Sequence, residues 1–222
     1  NCKFCVLSEY YSTYGRSVSP EQFEKQIDFA FSTEEVKSSP VVEIFNAGSF
    51  FDDHEIPSES RERILRKITS ETPPDKIIMV EAKLSDLINQ PEKIDQALAW
   101  LTDEKGTRNL EIGFGLEVMD TDVNVAMNKG ISVNRLEQVI SDLVKRQVRP
   151  MFYILVKPDL MSDEMAIEHA VESIKNIARI AKKNKIPYDQ KPHLSLSGTK
   201  LYVGSILQAH PGFKTPSLWS IG

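Results

Sequence analysis

Cys2 and Cys5, separated only by Lys3 and Phe4, are the two cysteines of the chain and its most concentrated chemistry. A two-residue spacing lets both thiolates reach one metal centre, because the loop between them can curl back on itself. Such a pair is half of a structural zinc site, which takes four ligands, and an iron–sulfur cluster needs at least three. Three uses stay open on spacing alone. The pair can work as a redox dithiol or disulfide. Its partners can lie elsewhere in the chain, or they can precede a chain that starts at Asn1 without a methionine.

The remaining reactive side chains collect where apolar runs end. Val41 to Phe45 leads into Asn46, Gly48 and Ser49, and Ile77 to Val80 leads into Glu81 and Lys83. Leu110 to Leu116 leads into Glu117 and Asp120, Met151 to Val156 into Lys157, and the last run carries Ser195 and Ser197. Any strand must leave the core somewhere, so a polar residue at one such end is ordinary. Glu81 and Glu117 stand out, because a carboxylate closing a buried strand is costly unless it finds a partner. The histidines at 54, 169, 193 and 210 lack metal-ligand spacing. Gly113-Phe114-Gly115 is a partial G-x-G at a strand end, where a dinucleotide fingerprint requires a helix start. The basic run from Arg179 to Lys185 closes a helix, where cations favour the dipole, and reads as a solvated end.

Between those runs lie amphipathic helices. Ser19-Pro20-Glu21 opens one with a cap residue, proline at the first position and an acid in the first turn. Further helices are predicted over Ser58 to Ser70, Pro91 to Asp103, Val133 to Gln147 and Ser162 to Lys183, with apolar residues at helical spacing. Strand and helix alternate without a linker or composition shift. That order predicts an α/β fold, a parallel sheet covered by helices, either doubly wound or a (βα) barrel, in one domain over 1–222. A charged fraction of 27% and a hydrophobic fraction of 41% are those of a globular protein. No apolar run nears the roughly 20 residues that span a bilayer, and no leader is visible. Two cysteines without a disulfide framework point to a reducing, cytoplasmic compartment. A net charge of −5 supplies no overall attraction for nucleic acid, so an RNA partner needs a local basic patch or another domain.

Cys2-Lys3-Phe4-Cys5 resembles the end of the radical S-adenosylmethionine (SAM) signature, Cys-x3-Cys-x2-Cys, with Phe4 in its aromatic place. Phe45-Asn46-Ala47-Gly48-Ser49-Phe50, Val80-Glu81-Ala82-Lys83 and Leu110 to Glu117 resemble, in the same order, segments of the elongator and methylthiotransferase-like branch. Tyr153 to Pro158, Leu194 to Ser197 and Pro216 to Ser220 are similar to the archaeosine-forming radical SAM enzymes of tRNA modification.

The resemblance implies a partial (βα)6 TIM-like barrel with parallel strands, with the first strand and first cluster cysteine upstream of Asn1. It implies a [4Fe–4S] cluster held by Cys2, Cys5 and a third thiolate, which reductively cleaves SAM to a 5′-deoxyadenosyl radical. Asn46, Gly48 and Ser49 would meet the methionine end of SAM, with Gly48 admitting close backbone approach. Glu81 and Glu117 would accept from the ribose hydroxyls or the amine, and Lys83 would pair with the carboxylate. The ring of Phe4 and the backbone from Tyr153 to Val156 would border the adenine, and Ser195 would also bind the cofactor. The implied partners are tRNA, through a region outside this chain, and an electron donor such as a flavodoxin or ferredoxin. Lys83 replaces the commoner arginine and loses its bidentate geometry, and Ser197 stands where asparagine is frequent. A small-molecule or protein substrate, a thiol–disulfide oxidoreductase using Cys2 and Cys5, and a non-catalytic scaffold are the competing readings.

Overall fold

A computed structural model of the chain describes residue 5 and residues 18–46, 48–129, 133–157, 161–187 and 191–198. The backbone gathers into two compact units. The first is Arg16–Phe114 with Asp142–Pro150; the second takes in Cys5, Gly115–Ser141 and the described residues from Met151 onward.

In the first unit, helix α1 (Pro20–Ala30) begins as its sequence dictates. The Ser19 hydroxyl accepts from the Gln22 N–H, the Gln22 side chain accepts from the Ser19 N–H, and proline fills the first position. After a short helix α2 (Glu34–Ser38) come strands β1 (Val41–Ile44) and β2 (Ile77–Glu81), with helix α3 (Ser58–Glu71) between them. Helices α4 (Leu84–Asn89) and α5 (Glu92–Trp100) lead on toward β5 (Asn109–Glu117). The pairing is parallel throughout: Val41 faces Ile77, Ile77 faces Asn109, and Glu81 faces Gly113. Parallel neighbours need a crossover, and the amphipathic helices supply it. Ile64, Leu65 and Ile68 of α3 are buried, as their spacing predicts.

Two expectations need correcting here. The run Val41 to Phe45 is a strand only to Ile44, and it is not buried: Val41 is 40% and Phe45 70% exposed. Among the described strands β1 pairs only with β2, so one of its edges meets no described strand. The helix predicted to reach Asp103 stops at Trp100. Thr102–Asp103 (β3) and Gly106–Thr107 (β4) form a small antiparallel hairpin instead. Gly106 sits at φ +121°, a conformation L side chains avoid, and the Asp103 carboxylate accepts from the Lys105 N–H to fix the turn.

Helix α7 (Leu136–Lys145), entered through a 3₁₀ turn at Val133–Arg135, buries Leu136, Val139, Ile140 and Leu143, the stripe its sequence marks. In the second unit, Asp120 caps helix α6 (Thr121–Ala126) by accepting from the N–H groups of Asp122 and Val123. Strand β6 (Arg149–Val156) pairs in parallel with β7 (His193–Gly198), from Met151 opposite His193 to Val156 opposite Gly198. The crossover is helix α8 (Asp163–Lys183), capped by Ser162 and burying Ala166, Ala170, Ile177 and Ile180.

The class is therefore α/β with a mostly parallel sheet. The described strands form no closed barrel. No helix among the described residues is long and apolar enough to cross a membrane.

Candidate functional site

The densest polar arrangement of the first unit lies just past β1. Asn46, Gly48 and Ser49 gather there around a carboxylate that the spacing argument overlooked, that of Glu55. Its Oε2 accepts from Asn46 Nδ2 at 3.1 Å and from the Ser49 N–H at 2.9 Å. Its Oε1 accepts from Lys83 Nζ at 2.8 Å, and Asp52 Oδ2 lies 3.5 Å from the same ammonium. A Cβ added at Gly48 would run into the Glu55 carboxylate, so the glycine is needed for Glu55 to approach. Burial opposes the charge on Lys83, but its hydrogen bond to Glu55 and the fields of Glu55, Asp52 and Asp86 outweigh it and raise its pKa. Asn46 Oδ1 is buried and has no donor among the described residues. Rotating the amide to satisfy it would turn the oxygen onto the Glu55 carboxylate. An orphaned buried acceptor costs on the order of 1–3 kcal/mol.

Strand ends and loop are tied by backbone bonds. The Lys83 N–H donates to the fully buried Ser49 hydroxyl at 3.1 Å, and the Phe50 N–H donates to the Glu81 carbonyl at 2.8 Å. The Ala82 N–H reaches the Gly113 carbonyl at 2.8 Å. Below, the loop is anchored on Phe50, Phe51 and Ile56, all buried, with the two rings edge to face at 5.5 Å. Buried Arg61 donates to the Ile56 carbonyl at 2.5 Å and to Asp53 at 2.6 Å. Lys93 donates to the Phe51 carbonyl at 2.7 Å and to the other oxygen of Asp53 at 2.9 Å. The Lys93 hydrogen bond, then Arg61, holds the Asp53 carboxyl below its ordinary range. Glu55 thus projects from a loop with its ends and middle fixed.

The second unit has its own strand-end charges. Glu117 is 5% exposed and adopts φ +63°, the left-handed region. Its carboxylate is neutralised by Lys129 at 2.5 Å, twelve residues on, and a Cβ at Gly115 would press into both groups. Lys157, also at φ +63° and buried, pairs with Asp163 of α8 at 2.6 Å. Two non-glycine residues held at positive φ carry a strain of about 1–2 kcal/mol each. Both stand at strand ends. Tyr153 and Ser195 are register partners across β6 and β7, both half-buried, and Val156 is buried. His169 lies 3.7 Å from Asp120 through Nδ1. The basic helix end is spent on acids: Arg179 pairs with Glu172 at 2.9 Å and Lys183 with Glu137 at 2.8 Å.

The chain is similar over 98% of its length to archaeosine synthase subunit beta of Methanosarcina acetivorans, at 26% identity. An uncharacterized protein of Methanocaldococcus jannaschii matches 98% of the chain at 24% identity. Archaeosine synthase subunit beta of Thermococcus kodakarensis matches 60% of it at 29% identity. The chain spans 59%, 57% and 39% of the length of these relatives. No protein-family model matches it.

Of the residues singled out by sequence, Asn46, Gly48, Ser49 and Lys83 come together in the first unit, with Glu81 joined through its carbonyl. Glu117, Tyr153, Val156 and Ser195 belong to the second unit. Cys5 is half-buried with a free thiol, and Cys2 and Phe4 lie outside the described residues. Among the described residues no group of three or more His, Cys, Asp or Glu is placed to hold a metal ion.

Proposed function

We propose that this chain is the radical SAM core of an enzyme that forms archaeosine in tRNA. The observation that carries the reading is the match along 98% of the chain to archaeosine synthase subunit beta of Methanosarcina acetivorans. Parallel strands with helical crossovers suit the incomplete (βα) barrel that the radical SAM resemblance implies.

In this reading Cys2 and Cys5 are two cluster ligands and the complete protein supplies the third. When bound, the [4Fe–4S] cluster and SAM supply a 5′-deoxyadenosyl radical. The chain's own residues bind, orient and seal. The site beyond β1 fits the amino-acid end of SAM on two grounds: an orphaned acceptor at Asn46 Oδ1, and an ammonium at Lys83 with one further proton to donate beyond those given to Glu55 and Asp52. Ser49 fixes the backbone of Lys83 and so the origin of its side chain. Glu81 is the acceptor that the first unit would offer to the ribose hydroxyls, and Glu117, Tyr153, Val156 and Ser195 are the residues of the second unit that the resemblance assigns to the cofactor. Phe50 and Phe51 close the floor of the loop against water. The tRNA is held by protein outside this chain, and a flavodoxin- or ferredoxin-type protein delivers the electron.

The test is nucleoside analysis of tRNA from cells lacking the protein, treated anaerobically with the full-length protein, its partner subunit, SAM and a reductant. Archaeosine should accumulate only when SAM and reductant are both present. Archaeosine formed equally without SAM, or not formed while SAM is consumed, would overturn the assignment.

A further inference from the structure

Five described residues other than glycine hold positive φ angles. Asn128, Gln147 and Lys185 are exposed and stand just past α6, α7 and α8, in the left-handed place that commonly closes a helix. Glu117 and Lys157 differ: both are buried, and both stand at strand ends. The SAM reading gives Glu117 a task and leaves Lys157 without one. A glycine after Val156 would adopt φ +63° freely, so the backbone supplies no reason for a long charged side chain there. The ion pair supplies little more. Asp163 is 30% exposed, and a pair screened on one side contributes little against the cost of burying an ammonium. One of the three ammonium protons goes to Asp163 Oδ1 at 2.6 Å, and no second acceptor meets Lys157 among the described residues. Asp163 already cancels the charge and Glu164 lies in the same field, so a further anion would find no net attraction. An uncharged acceptor, a carbonyl oxygen or a ring nitrogen, can take the remaining protons without that opposition. The edge of a nucleobase carries both.

We propose that Lys157 is a substrate-contacting residue of the second unit, which donates its remaining protons to uncharged acceptors on the base that is modified. The inference rests on the tRNA reading above. It adds a contact that this chain itself makes to the substrate, beside the hold on tRNA that lies outside it.

Lys157→Gly in the full-length protein, assayed on precursor tRNA with the partner subunit, separates the possibilities. The kcat/KM for archaeosine formation should fall at least about 10-fold, the scale of a hydrogen bond from a charged group. SAM should bind with unchanged affinity by calorimetry, and the unfolding temperature should hold or rise as the backbone strain is released. Asp163→Asn, which cuts the tie and leaves the ammonium, should keep most of the activity. A Lys157→Gly protein that unfolds several degrees earlier, with an equal loss of activity in Asp163→Asn, would make the lysine a structural tie. Normal archaeosine formation by Lys157→Gly would deny it a substrate role. A gap between wild type and variant that closes as salt rises would mean that the lysine meets phosphate. Each of these overturns the proposal. Wild-type protein that forms no archaeosine would instead overturn the tRNA reading itself.

Discussion

Arg108→Met should lower the unfolding temperature by roughly 10 °C, from a loss of about 3–4 kcal/mol. The Arg108 side chain is fully enclosed and works as a knot for the first unit. One terminal nitrogen donates to the Gly106 carbonyl at 3.0 Å and pairs with Asp103 at 2.6 Å. The other donates to the Thr69 and Thr72 carbonyls at 2.6 and 2.7 Å, which close the C-terminal end of α3. Methionine keeps much of the volume but supplies none of these donors. It leaves two buried carbonyls without partners and the β3–β4 hairpin untied from α3. Thermal denaturation followed by circular dichroism reads the effect. A shift of only 1–2 °C would mean that the carbonyls find water and that the knot is not what joins these elements.

Gly48→Ala carries the largest functional effect expected from a single methyl group. The backbone at Gly48 is not in the left-handed region, so alanine is not forbidden there by its own conformation. The obstacle is the Glu55 carboxylate, the far end of a flexible side chain, which can swing aside at modest cost. Stability should therefore fall by only about 1 kcal/mol. Once Glu55 moves, however, Asn46 Nδ2, the Ser49 N–H and Lys83 Nζ lose their common acceptor, and SAM affinity should drop at least about 10-fold. A variant that is markedly unstable, or one that is stable and binds SAM normally, would each remove Glu55 from the centre of this site.

The alternation of strands and helices was legible in the sequence because it rests on local physics. Ser19-Pro20-Glu21 and Ser162 cap the helices they should, and the stripe at 136, 139, 140 and 143 is buried. What failed depends on neighbours. Nothing in Val41 to Phe45 says that one flank of the strand meets no other described strand, since a paired and an unpaired edge need the same apolar residues. The β3–β4 hairpin was hidden because α5 runs straight into it and only Gly106 marks the turn. The site was half legible. Asn46, Gly48, Ser49 and Lys83 were found through their places at strand ends. Glu55 was missed because its partners lie 9 and 28 residues away and only the folded loop brings them together. The available signal was a glycine seven residues ahead of an acid inside a turn-rich segment. Lys129 was missed for the same reason: the cost of burying Glu117 was foreseen, but the cation that meets it follows a further helix.

Anaerobic reconstitution of the full-length protein with iron and sulfide, followed by SAM and a reductant, bears most directly on the radical SAM assignment. The wild-type protein should turn brown, retain about four irons per chain and release 5′-deoxyadenosine. Cys2→Ala and Cys5→Ala should each lose the iron and the product together. A colourless wild-type protein that binds no SAM, with two thiols that titrate reversibly as a disulfide pair, would contradict the account.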